Sequence, residues 1–129
     1  MTTPPTPLVD FTDIPLQDLF NKSVAGLAAQ DWQRARDGGV CRYDVNGLRC
    51  AIGQLIDDPE TRFWLDRATS LPSWGALHDA GTVRGHLDAL SRLQDCHDLA
   101  DDASNMRARL RHYAAFYHLI VPDVLKEAP

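Results

Sequence analysis

Three sets of side chains in this 129-residue chain have the right types for chemistry. The first pairs a thiol with a base. Cys50, with His97 to take its proton and Gln94 or Asp98 to orient the ring, is the set from which a cysteine-dependent hydrolase or transferase could be assembled. Such an enzyme needs a thiolate, a base beside it and a third group that fixes the base. Residues distant in sequence can meet in space, and Gln94 could instead serve as an oxyanion donor. Against this stands a plainer reading: both Cys50 and His97 fall on faces expected to be buried, where a cysteine behaves as a small inert hydrophobe. The His97 ring and Gln94 amide would then satisfy backbone groups that cost about 1–3 kcal/mol each when left unpaired.

The second set is a zinc site built from Cys41, Cys50, Cys96 and His97 or His112. Its spacing is poor, because eight residues separate the first two cysteines and the adjacent Cys96 and His97 diverge on a helix. No metal and no cofactor is therefore expected, and no phosphate loop, dinucleotide fingerprint or zincin helix occurs. The third set would bind a partner. Trp64 and Trp74 flank a loop containing Pro72, and Arg107 and Arg111 share a face by i,i+4 spacing, with Arg109 and His112 nearby. Aromatic residues are enriched in interface cores, but such tryptophans also serve as partly buried core. Arginines can contact an anion or nucleic acid, but a helix face paired with aspartates is routine.

The elements that must position these residues are mainly helical. Asn46-Gly47 supplies a two-residue hairpin loop, with Val40–Val45 before it and Leu48–Ile52 after it. In that register Val45 faces Leu48, Tyr43 faces Cys50 and Cys41 faces Ile52, all on one side. The apolar run then gives way to a helical turn around Gly53–Ile56. Before it, Leu16, Leu19, Phe20, Val24 and Leu27 recur at helical spacing, with Asp13 as cap, Pro15 in the first turn and Gly38-Gly39 as the stop after about Arg36. Asp58-Pro59-Glu60 starts a short helix carrying Phe63, Trp64 and Leu65, which Ser70-Leu71-Pro72 ends. Ser73 caps another with Trp74 and Leu77, closed by Ala80-Gly81.

Thr82 opens a helix whose stripe of Val83, Leu87 and Leu90 continues through Gln94 and His97, while Cys96 points nearly opposite. A last helix aligns Met106, Leu110, Tyr113, Tyr117 and Ile120 with Phe116 beside them; Asp101 and Asp102 face its positive end and Pro122 ends or kinks it. The expected fold is mainly α, a compact bundle of about five helices with one short β-hairpin over residues 40–52. Residues 1–12, rich in proline and threonine, form an extended or mobile arm, and residues 13–129 form a single helical domain.

The segment Cys41-Arg-Tyr43, Gly47-Leu-Arg-Cys50-Ala-Ile-Gly-Gln-Leu-Ile56 resembles a group of small, mostly uncharacterised phage and prophage proteins. These carry a Leu-Gln-x-x-Phe-like phrase on a preceding helix and a Leu-Gln-x-x-His-Asp-like phrase on a later one. Leu16-Gln17-Asp18-Leu19-Phe20 and Leu93-Gln94-Asp95-Cys96-His97-Asp98 match them here. The group often has a third cysteine where this chain has Gln54, which argues against a metal site through that position. The resemblance implies an origin in phage or prophage and no settled activity.

Composition narrows the function classes. The formal charge of −5 disfavours nonspecific binding to nucleic acid or an anionic membrane. Hydrophobic content of 44% with 24% charged residues is that of a globular domain. No run reaches the length of a membrane span, and Met1–Asp10 lacks the features of a leader. Three cysteines without a leader point to a reducing, cytoplasmic setting. The leading expectation is a small cytoplasmic phage or prophage accessory protein that binds a macromolecular partner, a protein of host or phage. The alternatives are the Cys50 and His97 enzyme and an acidic inhibitor of a nucleic-acid-binding protein, with Asp95, Asp98, Asp101 and Asp102 imitating phosphates. The sequence leaves the oligomeric state open.

Overall fold

The computed structural model describes residues 8–37, 40–68 and 73–126. In chain order these form β1 (Val9–Asp10), α1 (Leu16–Ala29), β2 (Arg36–Asp37) and β3 (Val40–Cys41). A 3-10 turn (Gly53–Leu55), α2 (Pro59–Ala68), α3 (Trp74–Asp79), β4 (Val83–Arg84), α4 (Leu87–Asp98), α5 (Ala103–Phe116) and a second 3-10 turn (Asp123–Leu125) follow. The fold is mainly α with five helices among the described residues, as the apolar spacing predicts.

Each helix buries the stripe its sequence encodes. Phe20, Val24 and Leu27 of α1, Leu65 of α2, Trp74 and Leu77 of α3, Leu90 and Leu93 of α4, and Met106 and Leu110 of α5 meet in one core. α4 packs between α3 and α5, and α1 packs on the first 3-10 turn. The expected cap operates at α3, where Ser73 Oγ accepts from the Ala76 amide at 3.1 Å; at α5 Asp102, expected to face the positive helix end, also caps it, accepting from the Asn105 amide at 2.7 Å. The latter helix starts at Ala103, ahead of its first buried residue. At α1 the expectation is corrected: Pro15 holds the cap position, Asp13 does not cap, and the helix begins at Leu16.

Helix ends differ more. α1 stops at Ala29 and α5 at Phe116, whereas apolar spacing carried them to about Arg36 and to Pro122. Both end in a left-handed reversal made by a residue other than glycine. Asp31 has φ +55, with the Trp32 amide reaching back to Leu27 O at 2.8 Å; His118 has φ +56, with the Leu119 amide reaching Ala114 O at 2.8 Å. α3 uses the same closure through Gly81, φ +77, where it was legible. The helix expected from Thr82 is also corrected. Val83–Arg84 instead pairs in parallel with Val9–Asp10, and α4 starts five residues later.

The Asn46-Gly47 turn forms, with φ of +52 and +89 and one antiparallel pair, Val45 with Leu48. The ladder goes no further. β3 pairs with Arg36–Asp37 instead, Cys41 with Arg36, so the expected pairings of Cys41 with Ile52 and Tyr43 with Cys50 are not made. The cause lies in Asp66, whose carboxylate accepts the Tyr43 amide at 2.8 Å and the Asp44 amide at 3.3 Å, taking the place of a second strand. Of the expected N-terminal arm, residues 1–7 lie outside the described residues. Its remainder is extended, and Phe11 is anchored by stacking on Trp74 with centroids 5.7 Å apart. Ser70-Leu71-Pro72 also lies outside the described residues.

Two substitutions test this account by urea unfolding. His118→Gly relieves a left-handed conformation at an exposed site and should raise stability by about 0.5–1 kcal/mol. Gly53→Ala places a methyl group against the Tyr43 carbonyl, in backbone that cannot swing aside, and should lower it by about 2–3 kcal/mol.

Candidate functional site

The residues singled out as a thiol enzyme are all drawn into the core or its edge, but each is spent on holding the fold. His97 is fully buried on α4. Its Nε2 accepts the Ala35 amide hydrogen at 3.0 Å, so the ring hydrogen belongs on Nδ1, 2.7 Å from Asp98 Oδ1. No lone pair is left to take a proton from a thiol. Cys50 Sγ accepts the Gly53 amide at 3.3 Å, capping the 3-10 turn. Burial pushes this thiol well above its ordinary range, with the Asp98 charge adding to the rise. Gln94 Oε1 accepts the Trp74 amide at 3.0 Å and so starts α3. Among the described residues the buried Tyr43 hydroxyl, close to Gln94, has no hydrogen-bond partner of good geometry. The four expected residues share a neighbourhood, but among the described residues no hydrogen bond joins Cys50 to His97.

The zinc set disperses. Cys96 leaves the His97 face of α4 and donates its thiol to Arg109 O at 3.6 Å. His112 stands on the outside of α5. The Cys41 side chain lies outside the described residues, and among those described no three metal-ligating groups converge. The partner-binding candidates divide. Trp74 is corrected to core: it is fully buried, with its indole donating to Gly85 O at 3.2 Å. Trp64 is 53% exposed, edge-on to Phe63, whose ring carries the Arg67 guanidinium 3.6 Å above it. Arg107 lies over Trp32 and reaches Lys126 O, and Arg111 reaches Leu125 O at 3.3 Å, so both brace the C-terminal segment. Of the acidic residues, Asp98 holds His97 and Asp102 caps α5.

What sequence reading missed is a groove of about 500 Å³ on the outer side of the α4–α5 pair. Arg92, Asp95 and Cys96 come from α4, and Arg109, His112 and Phe116 from α5. Phe116 is 62% exposed and Leu99, at the end of α4, 57%. Phe116 is packed against a series of rings. Phe116 meets Tyr117 edge-on at 4.9 Å, Tyr117 meets Tyr113 at 4.7 Å, and Tyr113 stacks on the buried Phe20 at 5.5 Å. Tyr113 anchors its hydroxyl on Ala89 O at 2.7 Å, and Tyr117 donates to Asp88 at 3.0 Å.

The polar wall is equally ordered. Arg92 Nε donates to Asp88 at 3.1 Å, with its guanidinium 5.0 Å from the Phe116 ring centre. Arg109 Nε donates to Asn105 at 2.9 Å. Partial desolvation and then the neighbouring Asp98 raise the Asp95 carboxyl above its usual range, against the pull of Arg109 and Arg92. Burial pushes the Cys96 thiol up to about 12, so it contributes a weak donor and a soft surface, not a nucleophile. The signal for this groove was partial: Phe116 sits off the buried stripe of α5, but Cys96, expected to point nearly opposite the α4 stripe, is corrected to a buried position facing α5.

No family model matches the chain, and it matches no curated protein and no solved structure. Among the described residues, no helix is long and apolar enough to cross a membrane.

Both described thiols should resist alkylation in the native protein through the mildly alkaline range and react on unfolding, as read by mass spectrometry; native labelling of Cys50 at neutral pH would contradict its place in the turn. His97→Ala should lower stability by about 2–4 kcal/mol, combining a cavity with an unpaired Ala35 amide. His97→Gln, which can present an oxygen to that amide, should recover part of the loss.

Proposed function

We propose that this protein is a small phage or prophage accessory protein that works by binding another protein through the α4–α5 groove. The observation that carries the reading is a groove with an exposed Phe116 on an aromatic mounting at one end, an exposed Leu99 at the other, and charged groups between them. Aromatic residues and arginine are enriched where interfaces are buried. Large exposed apolar side chains lining one groove are a mark of an interaction site. The buried thiol, imidazole and amide favour binding over catalysis, since their donors and acceptors are already engaged in the core. The resemblance of the Cys50-Ala-Ile-Gly segment to phage and prophage proteins supports the origin. The free thiols of Cys50 and Cys96 agree with a cytoplasmic setting.

Affinity-tagged protein isolated from cells that express it tests this reading. A partner retained by the wild type should be lost on Phe116→Asp, which buries a charge in the contact, and kept on Trp64→Asp, with both variants unfolding at the wild-type temperature. Retention of the partner by Phe116→Asp would overturn it.

A further inference from the structure

We infer that the groove receives an extended acidic segment of the partner, with a carboxylate on Arg109 and apolar side chains on Phe116 at one end and Leu99 at the other. This rests on the reading of the groove as a docking site and adds the chemistry of its occupant.

Charge carries the inference. The chain as a whole is acidic, at −5, but the groove inverts that sign. Arg92 and Arg109 line it against one carboxylate, Asp95, which partial burial holds above its usual range. Arg92 is already matched by Asp88. Arg109 has the Asp95 charge nearby but no ion pair: only its Nε is hydrogen-bonded, by the neutral Asn105 amide oxygen. Among the described residues no carboxylate forms an ion pair with it. A half-buried guanidinium held by one hydrogen bond lies two turns from the exposed Phe116 on the same helix, a spacing of about 10 Å that roughly three residues of extended chain cover. The fork suits a carboxylate, and the ring suits an apolar residue about three positions along.

Size and total charge select among acidic occupants. About 500 Å³ holds a few side chains, whereas a helix is roughly 10 Å across before its own side chains are accommodated. An extended segment fits. A single nucleic-acid strand would run its phosphates over a chain of net charge −5, with Arg109 the one lining guanidinium that forms no ion pair among the described residues. Strand-binding proteins instead line a track of several cations.

The test is an NMR titration of isotopically labelled protein with three probes. These are a short peptide with phenylalanine and leucine among glutamates, the same peptide with lysines for glutamates, and oligothymidine. The glutamate peptide should shift the amides of Arg109, His112 and Phe116, and bind about tenfold or more tightly than the lysine peptide. Arg109→Gln should weaken it about tenfold, added salt should weaken it, and Asp95→Asn should strengthen it. Equal or tighter binding of the lysine peptide or oligothymidine in the groove would overturn this inference and leave the groove a docking site of other chemistry. The absence of groove shifts with all three probes, together with partner retention by Phe116→Asp, would remove both. Phe116→Ala, at an exposed position, supplies the control that folding is intact and should weaken the glutamate peptide.

Discussion

A backbone turn laid directly on a helix sets the rest of this structure. Residues 50–55 approach α1 so closely that the helix can present only small groups there. Ser23 donates its hydroxyl to Ala51 O at 2.8 Å, and any side chain at Gly26 would occupy the space of the Gln54 amide. Gln30 closes the contact from the helix end, accepting the Arg49 amide at 3.0 Å and donating to Arg49 O at 2.7 Å. With the turn fixed, Ile56 O is aimed at the buried Arg62, whose Nε pairs with Asp44 at 2.9 Å. α2 is thereby tied to the chain on both sides of the Asn46-Gly47 loop. Buried polar groups of this kind add little net stability when satisfied, but leaving any one unmatched is expensive. They select one arrangement of the backbone over its near alternatives.

The same logic accounts for the residues that look most like an active centre. Cysteine, histidine, glutamine and aspartate gather where loops and helix starts meet, because those places have amide hydrogens without helical partners. Cys50 serves the Gly53 amide, Gln94 the Trp74 amide and His97 the Ala35 amide. Reactive side-chain types are here acceptors for three orphaned donors. A thiol beside a base in sequence space and a thiol spent as a turn cap have the same composition; only the hydrogen-bond directions separate them.

Legibility in the sequence followed the range of the interaction. Ser73 at α3, Asp102 at α5 and the Asn46-Gly47 turn act within three residues of themselves, and the sequence declares them. The inward line of Leu90, Gln94 and His97 was equally plain, since one helix generates it. The ends of α1 and α5 were hidden because Asp31 and His118 adopt a conformation that glycine would have advertised. The pairing of Val9 with Val83 joins residues from opposite halves of the domain, and its two-residue strands leave too little alternation to read. The groove was least visible, because it consists of what two helices leave over after their buried stripes are satisfied.

The aromatic series Phe20, Tyr113, Tyr117 and Phe116 runs without a break from the core to the groove. A partner seated on Phe116, as proposed, would therefore become the next layer of the core. Its binding energy is available only to the folded chain, so occupancy and global stability form one linked equilibrium. Inside a cell this would make the partner a guardian of abundance as well as a target. Chains without it would be closer to unfolding and would be cleared sooner, keeping the level of the protein matched to the level of what it binds.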